Sequence, residues 1–231
     1  MRVAIVSDMH GNLRALEAVL AGVAQDGADA VVVAGDLAMG GPQPAECVAR
    51  VRGLNCPVIR GNTDEWIGRG AGPTAAIQPV VDWARMRLSA EDIACLGSLP
   101  MDHRIRDAGG DLVVVHATPW SVEERLDPDA PEEEAERALD AVGARVLVYG
   151  HIHIAYRRDV GGRLVVNVGS VGFPFDGDPR ASYGLFTLHG GRWEAVLRRV
   201  EYDREAVAQD LLASDHPAKE AWAKRVRLAR P

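Results

Sequence analysis

The chain has 231 residues, 47% of them hydrophobic and 26% charged, with a formal net charge of −7. That length and balance suit one sizeable globular domain, or one with a small appendage. The acidic balance argues against stable binding to nucleic acid or an anionic membrane, both of which need a basic face, and no apolar run reaches the ~18 residues of a bilayer span.

VAIVS (3–7) is a short β-branched run, the pattern of a strand buried on both faces. Asn12 is placed to cap LRALEAVLAGVAQ, whose Leu13, Leu16, Leu20 and Val23 recur at helical spacing and which Gly27 ends. AVVVAG (30–35) predicts a second buried strand, PAECVARVRGL a helix opened by Pro44, and CPVIRGN a third strand. This β-α-β-α-β opening predicts parallel strands. IQPVVDWARMRL and SAEDIACLGSL predict two helices, the second capped by Ser89. HRIRD and DLVVVH around Gly109-Gly110 predict a hairpin, PEEEAERALDAV a helix, and ARVLVYG a further buried strand. Two more hairpins, IAYRRDV–GG–RLVVNVG and SYGLFTL–HGG–RWEAVLRRV, precede two helices over about 203–231. The second half is thus expected to be mostly antiparallel. No long linker or repeat divides the chain, so a single domain over 1–231 is expected. Cys47, Cys56 and Cys95 are odd in number and scattered, which argues for reduced thiols. With the early polar turn of MRVAIVSDMHG, which is too short a core for a signal peptide, this gives a cytoplasmic expectation.

The strand ends carry the chemistry. Asp8 and His10 follow the first strand, Asp36 the second and Asn62 the third; His116 ends VVVH, and His151 and His153 follow VLVYG. Carboxylate, imidazole and amide oxygen without sulfur suit a borderline to hard ion such as manganese, iron or zinc. Asp-x-His and His-x-His put two ligands on one side of an extended loop. Open α/β sheets form their sites at the carboxyl ends of strands. Taken singly, such a His or Asp is more often structural, holding a turn or capping a helix; the ordered set at five strand ends is what points to metal.

Taken together, DMH (8–10), GD (35–36), GN (61–62), His116 and GHIH (150–153) resemble the calcineurin-like metallophosphoesterases over nearly the whole chain. SDMHGNLRALEAVL and NVGSVG…DGDPRASYGLF are similar to the small bacterial phosphodiesterase branch. The resemblance implies an α/β fold, a four-layer α/β/β/α sandwich with two mixed sheets. It also implies two divalent or trivalent ions, manganese first, with iron or zinc as alternatives. Asp8, His10 and His153 would hold one ion and Asn62, His116 and His151 the other, with Asp36 shared. Catalysis would centre on Asp36, Asn62 and His10: a metal-activated hydroxide would hydrolyse a P–O bond of a small phosphoester, most readily a phosphodiester. The alternatives are a phosphomonoesterase acting on nucleotides or phosphoproteins, and a protein-binding scaffold like the retromer subunit of this fold, which would show eroded ligands; none is eroded here.

Two departures bear on substrate. Many relatives carry Gly-Asn-His where this chain has GNTDEW, so Thr63 replaces a histidine that can assist the leaving group. The arginine that protein phosphatases and dinucleoside tetraphosphatases carry after GD is missing from GDLAMGG. Asn62, Thr63 and Arg180 are the candidate substrate contacts. For Arg180 a turn pair with Asp176 or Asp178 is the stronger reading, and for Asp64 a helix-start carboxylate is preferred to a role orienting His10 or a water. Trp66 and Trp120 are open between an apolar wall and core packing.

Overall fold

The computed structural model describes all residues from Met1 to Pro231. β1 (Arg2–Val6), α1 (Leu13–Gln25), β2 (Ala30–Val33) and α2 (Pro44–Arg52) follow in the expected order. The Asn12 side chain accepts from the Ala15 amide at 3.1 Å, so the cap forms as predicted. The expected third strand does not form. Val58 makes only one parallel bridge, with Val33. Pro57 has no N–H to extend a ladder, and the Arg60 amide turns away to the Pro100 carbonyl at 2.7 Å. Asn62 instead opens a helix, α3 (Asn62–Arg69), followed by α4 (Gln78–Arg85) and α5 (Ala90–Ser98), which Ser89 caps through the Asp92 amide at 3.0 Å.

β3 (Asp102–Ile105) and β4 (Leu112–Val115) form the first hairpin. α6 (Glu132–Val142) then leads into β5 (Val146–Tyr149), followed by the hairpins β6 (Tyr156–Val160)–β7 (Arg163–Asn167) and β8 (Ala181–His189)–β9 (Arg192–Val200). α7 (Arg204–Ala213) and α8 (Lys219–Leu228) end the chain. One sheet has the order β2-β1-β8-β9, the other β3-β4-β5-β7-β6. The mostly antiparallel expectation needs correcting at the centre of the second sheet, where β4, β5 and β7 are parallel. Each hairpin keeps its antiparallel pairing, but α6 carries the chain from β4 to a parallel β5, and β7 rather than β6 takes the place beside β5.

Strand alternation builds the layers. Val3 and Ile5 of β1 meet Leu112, Val114, Val146 and Val148 between the sheets. Ala4 and Val6 face the other way, onto Leu16 and Val19 of α1. Val113 and Leu147 point outward onto Ala138 and Leu139 of α6. The result is the expected four-layer α/β/β/α sandwich. Each such valine or leucine, fully buried, stabilises it by about 1.5–3 kcal/mol.

α7 and α8 close a smaller cluster in which Phe173 packs on Val207, Leu211 and Trp222. His216 is buried there, edge-on to Trp83 at 4.7 Å between ring centroids and 6.2 Å from Trp222. Its Nδ1 accepts from the Ala218 amide, and its Nε2 has no partner. Burial and the Arg87 charge push His216 down to about 4, with Asp215 opposing. A histidine lowered in the fold stabilises above its unfolded value of ~6.5, and that contribution is lost as pH falls toward 4. The melting temperature of His216→Leu relative to wild type should therefore shift in the variant's favour between pH 6.5 and 4. A pH-independent gap would show that His216 titrates alike in both states.

Candidate metal centre

Beyond β1 and β2 the two chains stay side by side as loops. The amides of Asp8, His10 and Gly11 donate to the carbonyls of Gly35, Asp36 and Leu37 at 2.8–3.0 Å. Five of the seven non-glycine residues with positive φ are Asp8, His10, Asp36, His151 and His153. Each of these left-handed residues costs roughly 1–2 kcal/mol. These left-handed turns keep Asp8 with His10, and His151 with His153, on the side of the site, while the residues between them, Met9 and Ile152, pack into the hydrophobic clusters. Alternate residues do share one side, as expected from the sequence, but through left-handed backbone and not through an extended loop.

These loops bring the seven expected ligands into one group, six of them buried and His151 half-buried at its edge. His10 Nε2 lies 3.0 Å from His153 Nε2, and Asp8 Oδ1 lies 3.2 Å from His153 Nε2. Asp36 reaches both halves, with Oδ2 at 3.4 Å from His10 Nε2 and Oδ1 at 3.5 Å from His116 Nε2. Asn62 Oδ1 sits 3.0 Å from both His116 Nε2 and His151 Nδ1. Two sets are close enough to share a cation, Asp8–His10–His153 and Asp8–Asp36–His116.

Backbone carbonyls orient all four imidazoles. His10, His116 and His153 direct Nδ1 at the carbonyls of Met39, Ala34 and Phe173, at 2.8, 2.7 and 2.6 Å. His151 is reversed, with Nε2 on the Glu123 carbonyl at 3.0 Å. A carbonyl only accepts, so the ring nitrogen facing it carries the proton. The other nitrogen of each neutral ring then presents a lone pair to the centre. Two such lone pairs 3.0 Å apart, on His10 and His153, repel unless a cation lies between them. Asp8 Oδ1, wholly buried beside them, accepts no hydrogen bond. The N/O donor set and this orphaned oxygen both fit divalent ions.

The electrostatics agree. Burial would raise the Asp8 carboxyl, but His153 and His10 hold it well below the usual carboxylate range. Burial opposes charge on His10 and His116, yet Asp8 and Asp36 raise both above their ordinary value. Burial and His116 push His151 down to about 4. Asp8 and Asp36 thus favour positive charge beside His10 and His116, whether as a proton on the ring or as a cation, and burial disfavours a proton on His151.

Two glycines of the motifs are there for close approach. A Cβ on Gly61 would sit 2.1 Å from Asp36 Oδ1, and one on Gly150 2.3 Å from Asp8 Oδ2. Asp64 is the residue whose importance sequence reasoning missed. It does stand at the start of α3, but it is fully buried and accepts from the amides of Asp36, Leu37 and Gly61 at 2.8, 3.0 and 2.9 Å. It thus ties the Asp36 loop to the Asn62 turn. Burial and the nearby Asp36 push it up to about 6, against those three donors. Its spacing from GD and GN was visible; its clamp between them was not. Thr63 lies beside Asp36, donating its amide to Oδ1 at 2.9 Å, and its buried hydroxyl has no partner. Arg180 is not brought to the centre by any contact; its guanidinium pairs with Asp178, Nε to Oδ1 at 3.0 Å, the turn pairing favoured from sequence. Trp66 donates to Glu123, whose carbonyl holds His151, and Trp120 is partly exposed and donates to Glu124.

The chain is 30% identical to MJ0912 of Methanocaldococcus jannaschii over 93% of each chain. It is 29% identical to Phosphodiesterase YfcE of Escherichia coli, over 80% of this chain and 86% of that one. The crystal structure of a metallophosphoesterase from Sphaerobacter thermophilus superimposes with a TM-score of 0.81 at 30% identity, covering 99% of both chains. The sandwich is therefore a metallophosphoesterase fold. Residues 1–191 match the calcineurin-like phosphoesterase superfamily domain, and the chain belongs to that superfamily.

Proposed function

We propose that the chain is a phosphodiesterase whose centre holds two divalent ions, manganese in the first instance. The observation that carries this reading is Asp36, whose two oxygens face His10 on one side and His116 on the other at 3.4 and 3.5 Å. One carboxylate is thereby offered to two ligand groups. Asp8, His10 and His153 would hold one ion with Asp36, and Asn62, His116 and His151 the other. When bound, such a pair neutralises phosphoryl charge and lowers the pKa of a coordinated water.

The chain's own residues do the rest. The carbonyls of Met39, Ala34, Phe173 and Glu123 fix the imidazole orientations, so no rotamer search accompanies substrate binding. Asp64 and the Thr63 amide hold Asp36 in place. At the N-terminus of α3 the Thr63 amide donates to Asp36 Oδ1 at 2.9 Å, which favours the charged form of that carboxylate. No imidazole follows Asn62, and the Thr63 hydroxyl is too weakly acidic to protonate a leaving group near neutral pH. General acid help is worth about 100- to 10,000-fold, so good leaving groups should be preferred. The relative named a phosphodiesterase supports the diester side of this reading.

The test is hydrolysis by the manganese-reconstituted chain of bis(p-nitrophenyl) phosphate, alkyl monoesters and nucleoside monophosphates, with a chelator control. Activity should vanish with chelator, return with manganese, and favour the aryl diester over the alkyl monoester by on the order of 100-fold or more. Equal turnover of the two would defeat the leaving-group argument, and faster turnover of nucleoside monophosphates would favour a monoesterase.

A further inference from the structure

A second polar site lies at the opposite pole of the sandwich. β4, β5 and β7 all run toward the metal loops, and β8 runs against β1. The far pole therefore collects three hairpin turns, each with a glycine pair: Gly109-Gly110, Gly161-Gly162 and Gly190-Gly191. The turns of the two sheets touch there, since a Cβ on Gly109 would lie 1.9 Å from the Gly191 carbonyl oxygen. Between them opens a cavity of about 420 Å³, within the ~300–1,000 Å³ range of small-molecule sites.

Its charge is out of keeping with the chain. Arg145, Arg157, Arg163 and Arg192 line it against a single carboxylate, Asp159, in a protein of net charge −7. Arg163 is paired with Asp140. Asp159 is engaged in its own turn, accepting from the Gly162 amide at 3.0 Å. Arg157 donates only to the Ala195 carbonyl, and Arg145 and Arg192 have no ion-pair partner. The indole N–H of Trp193 is held by the Gly110 carbonyl at 3.0 Å, which fixes the ring as one wall. Guanidinium groups from the segment between α6 and β5, from β6 and from the first residues of β7 and β9 surround one concavity; they repel each other unless an anion joins them, and each forks well onto phosphate oxygens. The concave shape and the acidic surroundings suit a small anion better than a nucleic-acid strand, which needs an extended basic track.

We propose that this seam binds a small polyphosphate, either the inorganic anion or the phosphate tail of a nucleotide. The site is separate from the metal centre and does not depend on which ester that centre hydrolyses. The test is calorimetric titration of the full chain, at about 0.15 M ionic strength, with tripolyphosphate, ATP and adenosine. Wild type, the double variant Arg145→Glu/Arg192→Glu and Asp36→Asn are compared. Both arginines are exposed, so the double variant should fold and keep its hydrolysis of bis(p-nitrophenyl) phosphate. Binding of tripolyphosphate and ATP should persist in Asp36→Asn and weaken on the order of 30-fold or more in the double variant. Equal affinity for the two ligands would assign the site to the polyphosphate itself; tighter ATP binding with none for adenosine would assign it to nucleotides. The proposal is overturned by unchanged affinity in the double variant, by loss of binding in Asp36→Asn alone, by adenosine binding as tightly as ATP, or by a short single-stranded RNA binding more tightly than tripolyphosphate.

Discussion

Asp36→Asn is expected to lower phosphoester hydrolysis on the order of 1,000-fold or more and to reduce bound metal from about two ions per chain toward one. Asparagine keeps one oxygen and the local shape, but it loses the charge and the second oxygen that faces His116. Losing several kcal/mol of charge stabilisation corresponds to that drop in rate. The measurements are the rate on bis(p-nitrophenyl) phosphate and the metal content by elemental analysis. The metal-free variant should not unfold earlier than metal-free wild type. Removing the Asp36 charge relieves its repulsion with Asp64 while giving up its attraction for His10 and His116, and an unchanged unfolding temperature separates the loss of activity from misfolding. Full activity with both ions retained would remove the basis for a bridging carboxylate.

Asp64→Ala should act differently, on stability and activity together. It leaves the amides of Asp36, Leu37 and Gly61 buried without acceptors. At ~1–3 kcal/mol for each unsatisfied group, and with incomplete additivity, the cost is about 3–5 kcal/mol. For a chain of this length that corresponds to a melting temperature lower by roughly 10 °C. The Asp36 loop and the Asn62 turn also lose their tie, so metal affinity should weaken about 10- to 100-fold, as it does when residues supporting metal ligands are removed. Asp64→Asn, which keeps an acceptor oxygen, should recover part of both losses. A variant as stable as wild type but inactive would mean that Asp64 acts on substrate and not as a clamp.

The ligand types and most of the elements were legible because their signals are local. Asn12 caps α1 from one residue away, Ser89 caps α5 in the same manner, and the β-branched runs of β1, β4 and β5 fill two-sided burial. Asp8, His10, Asp36, His116, His151 and His153 stood out because each ends or follows an apolar run with a group that binds metal. CPVIRGN misled for a local reason as well: its apolar content suits a strand, but Pro57 cannot donate to one and α3 begins at Asn62.

What the sequence determined by itself was a set of alternating and helical periods, and a supply of metal-competent side chains at the ends of those periods. Periodicity and residue chemistry are properties of neighbours along the chain. Only the tertiary structure decided that β1 pairs with β8 across some 180 residues, that β5 lies beside β7, and that Asp64 clamps two motifs. It also decided which carbonyls aim the four imidazoles. Every residue carries a carbonyl, so nothing in the types of Met39, Ala34, Phe173 or Glu123 marks them for that work. The arginines of the far seam are a similar case: they come from separate elements of both sheets, and their shared field exists only where the two sheets close on each other.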